Sequence, residues 1–185
     1  MLFNVFLHRL GVALRIVETG LAIVAALCVL AILVTTTADV VMRYAFNAPL
    51  GWAFDLVAHY LLVAAFFLGF PLALGRGDHI SVDFLARKMP ERLTHFMLSP
   101  FCLAAAGMIA LMAYYASLEA YSAWRAGEVI AGVILWPVWI AKLCVPVALW
   151  PMVFRLVQLG LAHGATALDA RRFPFRAPAF HVLAD

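Results

Sequence analysis

Long stretches without a single charge set the pattern of this chain. Crossing a hydrocarbon core of about 30 Å takes about 20 helical residues, so the spacing between successive charges is the measure that matters. Thr19–Ala38, Leu56–Gly75 and Leu93–Leu118 carry none, and each predicts a transmembrane helix. A fourth apolar run, Val129–Leu161, is interrupted by Lys142 and Arg155 and by Pro137, Pro146 and Pro151. It still predicts a span, because Lys142 lies toward one end, where its stem can snorkel, and prolines are tolerated in membrane helices. The expected spans are about 19–38, 56–75, 96–118 and 134–160. The first run is too long and starts too late for a cleaved signal peptide.

The flanking segments carry patterns of their own. In residues 1–18, Asn4, His8, Gly11, Arg15 and Glu18 fall at steps of four and three, with Leu2, Phe6, Leu10, Ala13 and Val17 opposite. That predicts an amphipathic helix lying in the headgroup plane, with simple extension of helix 1 as the alternative. Between helices 2 and 3, Gly75-Arg76-Gly77-Asp78 reads as a turn. His79 with Asp83 and Ile80 with Phe84, each four apart, predict a short surface helix ended at Met89-Pro90-Glu91. Residues 162–185 read as a tail, basic, aromatic and proline-rich in Arg171–Pro178, that hugs a membrane surface or is disordered.

Composition sharpens the class. Hydrophobic residues make up 66% of the chain and charged ones 12%, with mean hydropathy +1.01, against about 45–50% and about 25% in soluble domains. A soluble enzyme is excluded on those grounds. Charge placement gives the orientation: ten of the thirteen Lys and Arg residues fall in the N-terminal segment, the central loop and the C-terminal part. The positive-inside rule then makes both termini and the central loop cytoplasmic. Trp52, Trp124, Trp136 and Trp139 gather at the outer interface, where amphipathic indoles belong. The fold class is therefore an all-α membrane protein with four transmembrane helices, N and C termini cytoplasmic, and an N-terminal amphipathic interfacial helix.

Candidate chemistry is sparse. Cys28, Cys102 and Cys144 lie inside apolar runs without metal-ligand spacing and read as small hydrophobes. None of the four serines has a GxSxG context, and no HExxH, phosphate-binding loop or nucleic-acid motif is present. No enzyme and no cofactor is expected. The rival reading is a four-helix anchor of a redox complex, whose haem would need axial ligands from two helices at one depth. His59 near the outer end of helix 2 has no such partner, since His95 and His163 belong to the inner end. A self-contained transporter would show repeats, broken helices and polar groups at the midplane, which the apolar centres lack. Asp39 and Arg43 are four apart at the outer end of helix 1, as are Asp55 and His59 at the start of helix 2. They predict an ion-paired corner in preference to an ion or substrate site. Gly69 and Pro71 in helix 2 and Ala104-Ala105-Ala106-Gly107 in helix 3 offer small surfaces, for internal packing or for a partner.

These residues resemble the small membrane subunit of TRAP (tripartite ATP-independent periplasmic) transporters, the DctQ type. The resemblance runs through Asp39-x-x-x-Arg43-Tyr44-x-Phe46-Asn47-x-Pro49-x-x-Trp52-x-x-Asp55, then Gly69 and Ala73, then His79-Ile80-x-Val82-Asp83 before Met89-Pro90, and Trp136-Pro137-x-Trp139 with Pro146. It covers roughly residues 15–160. Members often carry Glu where this chain has Asp55, and neither Lys142 nor the basic tail maps onto the pattern. The resemblance implies a non-catalytic scaffold in the bacterial inner membrane. Its partners would be lipid, a large DctM-type membrane subunit carrying the sodium and substrate sites, and a periplasmic DctP-type binding protein that delivers organic acids such as dicarboxylates or sialic acid. It also implies that Arg43, Asn47, Pro49, Trp52 and Asp55, with Asp39, shape the outer corner, and His79 and Asp83 the cytoplasmic loop.

Overall fold

The computed structural model describes residues 2–76, 91–132 and 134–168. Four helices long and apolar enough to cross a membrane are present. Helix α1 is Leu2–Ala45. Helix α2 runs through Ala53–Leu56, a π-helical turn at Val57–Leu61, and Leu62–Arg76. Helix α3 is Glu91–Ala126 and helix α4 is Val138–Leu168. The α1–α2 and α3–α4 connections lie at one end of the bundle, called here the connection end. The start of α1, the end of α2, the start of α3 and the end of α4 lie at the other, the terminal end.

The first three helices are longer than the charge-free runs, because a helix does not stop where lipid stops. Residues 2–18 continue into the first span without a break, giving α1 a length of about 66 Å. Its inward positions follow alternating steps of four and three from Leu7 through Gly11, Leu14, Glu18, Leu21 and Ala25 to Met42. That 3.5-residue period keeps one seam against neighbouring helices along the whole length. Two members of the expected polar stripe, Gly11 and Glu18, therefore face α4, while Arg15 is exposed.

Helices α1, α2 and α4 pack on one another, and α3 packs chiefly on α4. The middle of the bundle is apolar. Ala25, Ala64, Leu68 and Ala148 form one core cluster, joined by half-buried Cys28 and Cys144. Ala113, Leu149 and Met152 form another. Several hydroxyls along the spans are satisfied within their own helices, Thr35 donating to the Ala31 carbonyl and Ser117 to that of Ala113. The small residues singled out for close approach do not all serve it: a side chain at Gly69 or Gly107 would meet nothing within 4 Å. Close approach occurs instead at Gly11, Gly75, Gly160 and Gly164.

The fourth apolar run is not helical from its start. Helix α3 ends on Gly127, whose φ of +61° places it in the left-handed region. The Glu128 N–H returns to the Ala123 carbonyl and the Gly127 N–H to that of Trp124, the Schellman arrangement that satisfies the last carbonyls. Residues Val129–Ile130 (β1) and Trp136–Pro137 (β2) then pair antiparallel. Hydropathy does not distinguish an apolar strand from an apolar helix; the β-branched Val129, Ile130 and Ile134, Gly132 and Pro137 favour the hairpin.

Candidate functional site

Polar chemistry concentrates at the two ends of the bundle. At the connection end, α1 terminates with Asn47 at φ +51°, a conformation that Asn accepts more readily than most residues with a side chain. Both the Phe46 and Ala48 N–H groups donate to the Met42 carbonyl. The chain then reverses through Pro49, and the Leu50 N–H donates to Asp39 Oδ1 at 2.8 Å. Arg43 Nη2 donates to Asp39 Oδ2 at 2.9 Å. One carboxylate thus holds the end of α1 and the approach to α2, pairing with Arg43 and with the Leu50 N–H, while Asn47 and Pro49 lie in the chain reversal between them. Asn47→Val should cost roughly 1–2 kcal/mol of stability, the penalty for a left-handed residue with a Cβ, while Asn47→Gly should be near neutral. Thermal unfolding of the purified protein checks both.

Trp52 precedes α2 half-buried and makes no side-chain cap. Asp55 departs from the expected pairing. His59 Nδ1 lies 3.3 Å from the backbone carbonyl of Asp55, not from its carboxylate. The carboxylate reaches the hairpin, where a Cβ on Gly132 would lie 2.5 Å from Asp55 Oδ2. Two residues further on, the helix passes through the π-helical turn at Val57–Leu61. Tyr60 Oη donates to the Pro137 carbonyl at 2.5 Å and its ring packs at 5.5 Å from Trp136. The hairpin meets α2 at two levels, bonded through Tyr60 and in close approach at Asp55. Lys142 closes the same end from the other side, donating at 3.2 Å to both Glu119 of α3 and Glu128 of the connection. His79 and Asp83, with the surface helix expected around them, lie outside the described residues, as does the tail beyond Leu168.

The terminal end holds a network that the sequence reading did not assemble. Glu18 of α1 is 1% exposed. Arg155 of α4 grips it two-handed, Nε to Oε1 at 2.7 Å and Nη2 to Oε2 at 2.5 Å. Arg155 Nη1 also donates to Gln158 Oε1 at 3.0 Å, and Gln158 Nε2 donates to the Leu7 carbonyl at 2.8 Å. Glycines make room for this chain of bonds. A Cβ at Gly11 would sit 2.6 Å from Gln158 Nε2, and one at Gly75 of α2 would sit 2.5 Å from Glu18 Oε2. One guanidinium and one carboxylate join α1 to α4, and Gly75 of α2 packs close against that carboxylate. Glu18 is 137 positions from Arg155 in sequence, and its only sequence signal is that both charges stand at the terminal end of their spans.

Beside it, α3 and α4 meet through Gly160 and Gly164, a G-x-x-x-G spacing that brings two backbones together. Ser99 Oγ donates to the Gly160 carbonyl at 2.9 Å and lies 3.0 Å from where a Gly164 Cβ would be. One turn before Ser99, His95 Nδ1 lies 2.8 Å from His163 Nδ1, with the rings stacked at 5.0 Å. One nitrogen donates and the other accepts. Metal–imidazole bonds of about 2 Å on opposite sides of an ion need the two nitrogens about 4 Å apart, so this pair is not arranged as the axial ligands of a haem. His59 belongs to the other end. Among the described residues, no three His, Cys, Asp or Glu side chains come together as a metal site.

Four spans, an apolar middle and polar groups committed to joining helices at either end define a multi-pass membrane protein built as a helical unit. The family described as "Tripartite ATP-independent periplasmic transporters, DctQ component" matches residues 32–162, and the chain belongs to it: it is a small subunit of a TRAP transporter. Comparison with curated proteins and with solved structures gives no match.

Proposed function

We propose that this chain is the fixed, non-catalytic scaffold of a sodium-driven, binding-protein-dependent uptake system for organic acids in the bacterial inner membrane. It packs beside a large DctM-type subunit that carries the moving sodium and substrate sites. Both termini face the cytoplasm, and the connection end faces the periplasm and the DctP-type binding protein. The observation that carries this reading is the location of polar groups. The ion pairs Asp39–Arg43, Lys142–Glu119, Lys142–Glu128 and Arg155–Glu18 stand at the two ends, and the core between them consists of residues such as Ala25, Leu68, Ala113 and Ala148. Substrate and ion sites of transporters lie near the midplane. A unit with this distribution supports a neighbour's sites.

On this reading Arg43, more than half exposed while paired to Asp39, is a contact point of the outer corner. Arg43→Ala should leave membrane insertion intact and lower co-purification of the large subunit, substrate uptake, or both, by several-fold. Affinity capture from detergent extracts and uptake in whole cells measure the two. Normal recovery together with normal uptake overturns the role of Arg43. Uptake that is unchanged when this chain is deleted overturns the scaffold itself.

A further inference from the structure

We infer that the β1–β2 hairpin is a lipid-binding element, seated in the headgroup layer at the connection end with Ile134 and Leu135 against the acyl boundary. Beyond Glu128 the connection, residues 129–137, contains no charge. Val129, Ile134 and Leu135 turn outward, and Leu135 is 68% exposed. The opposite side of the hairpin is occupied: Gly132 lies under the Asp55 carboxylate, and Trp136 and Pro137 meet Tyr60.

Two sets of contacts fix the depth. On α2, Asp55 marks the level of Gly132 and Tyr60 the level of Pro137, so the hairpin stands alongside the first turns of that helix and not above it. The span of α2 is Ala53–Gly75, 23 residues, and a hydrocarbon core uses about 20 of them. The level of Tyr60 therefore cannot lie far out in water. On α3 and α4, the Lys142 ion pairs with Glu119 and Glu128 mark polar surroundings a turn below Pro137. The hairpin falls between these marks, in the layer about 5–8 Å thick where headgroups meet acyl chains. Trp124, Trp136 and Trp139 accompany it there, as interfacial aromatics do.

The backbone suits that layer. Ile130 pairs with Trp136 and Val129 with Pro137, and the Val138 N–H donates to the Glu128 carbonyl. Backbone pairing at the base lowers the cost that lipid sets on open amides and carbonyls. The inference needs only that the four helices span a bilayer, and it stands whichever way the chain is oriented.

Nitroxide labels on Ile134→Cys and Leu135→Cys test it, in a chain with Cys28, Cys102 and Cys144 changed to Ala. The assembled transporter is reconstituted in vesicles of phosphatidylethanolamine and phosphatidylglycerol, and the subunit alone is measured beside it. Lipid seating predicts that oxygen collides with both labels several-fold more effectively than a water-soluble nickel chelate, equally in the subunit and in the complex. The unlabelled cysteines should react with a charged maleimide at least tenfold more slowly than a cysteine in unstructured peptide. Preferential collision with the nickel chelate would place the hairpin in water. Loss of both collisions on assembly would make it a protein contact. Either result overturns the inference without touching the scaffold reading.

Discussion

Glu18→Ala should destabilise the protein by about 3–5 kcal/mol, the cost of stranding one partner of a buried ion pair. The loss should appear as a collapse in the yield of monodisperse protein and a large drop in thermal midpoint in detergent. Its carboxylate is 1% exposed and accepts two bonds from Arg155. With Glu18 gone, the guanidinium keeps its bond to Gln158 and faces an apolar seam with no counter-charge. Arg155→Ala should cost a similar amount by leaving the carboxylate unpaired. The double replacement Glu18→Leu with Arg155→Met removes both charges together and should recover most of the stability, because a matched apolar pair need not be desolvated. If Glu18→Ala unfolds at the wild-type temperature, the pair does not hold the helices together. Gly75→Val should mimic part of the effect, since its side chain would enter the space of Glu18 Oε2.

Gly160→Leu should be the second most damaging change. A Cβ there would lie 2.9 Å from Leu103 Cγ and 3.4 Å from Cys102 Cβ, so α3 and α4 must separate. Overpacking of this kind costs typically 1–3 kcal/mol, and the Ser99 bond to the Gly160 carbonyl is lost as the helices part, adding about 1 kcal/mol. Leu103→Ala in the same chain should restore part of the stability by clearing the contact. Gly69→Leu and Gly107→Leu form the control, because nothing lies within 4 Å of either position. Both should leave the isolated subunit unchanged in thermal unfolding. A loss of large-subunit co-purification from either one would mark its face as the partner's. A fall in stability of the isolated subunit would contradict the packing described here.

Different features were legible in the sequence to different degrees. Asp39 and Arg43 were legible as a pair because their contact is four residues apart on one helix, where spacing alone sets distance. The corner beyond them followed from Asn47 and Pro49, whose backbone preferences act locally. Asp55 shows where local spacing stops. Four residues bring His59 to its backbone carbonyl, while its carboxylate lies against Gly132 of the hairpin, a neighbour that no spacing along one helix shows. The same holds for Gly11 and Glu18. A polar stripe on an isolated helix reads as a face toward water, but a polar stripe beside Arg155 and Gln158 is a face toward protein.

By itself, the sequence determined how many times this chain crosses the membrane and where its charges gather. Burying a charge in lipid costs so much that each segment settles the matter alone. Which polar groups then met was decided by the tertiary structure. Arg155 reaches Glu18, Ser99 reaches Gly160 and Tyr60 reaches Pro137 only because the helices take one rotation and one depth against each other. Those are properties of packed surfaces that no single segment carries.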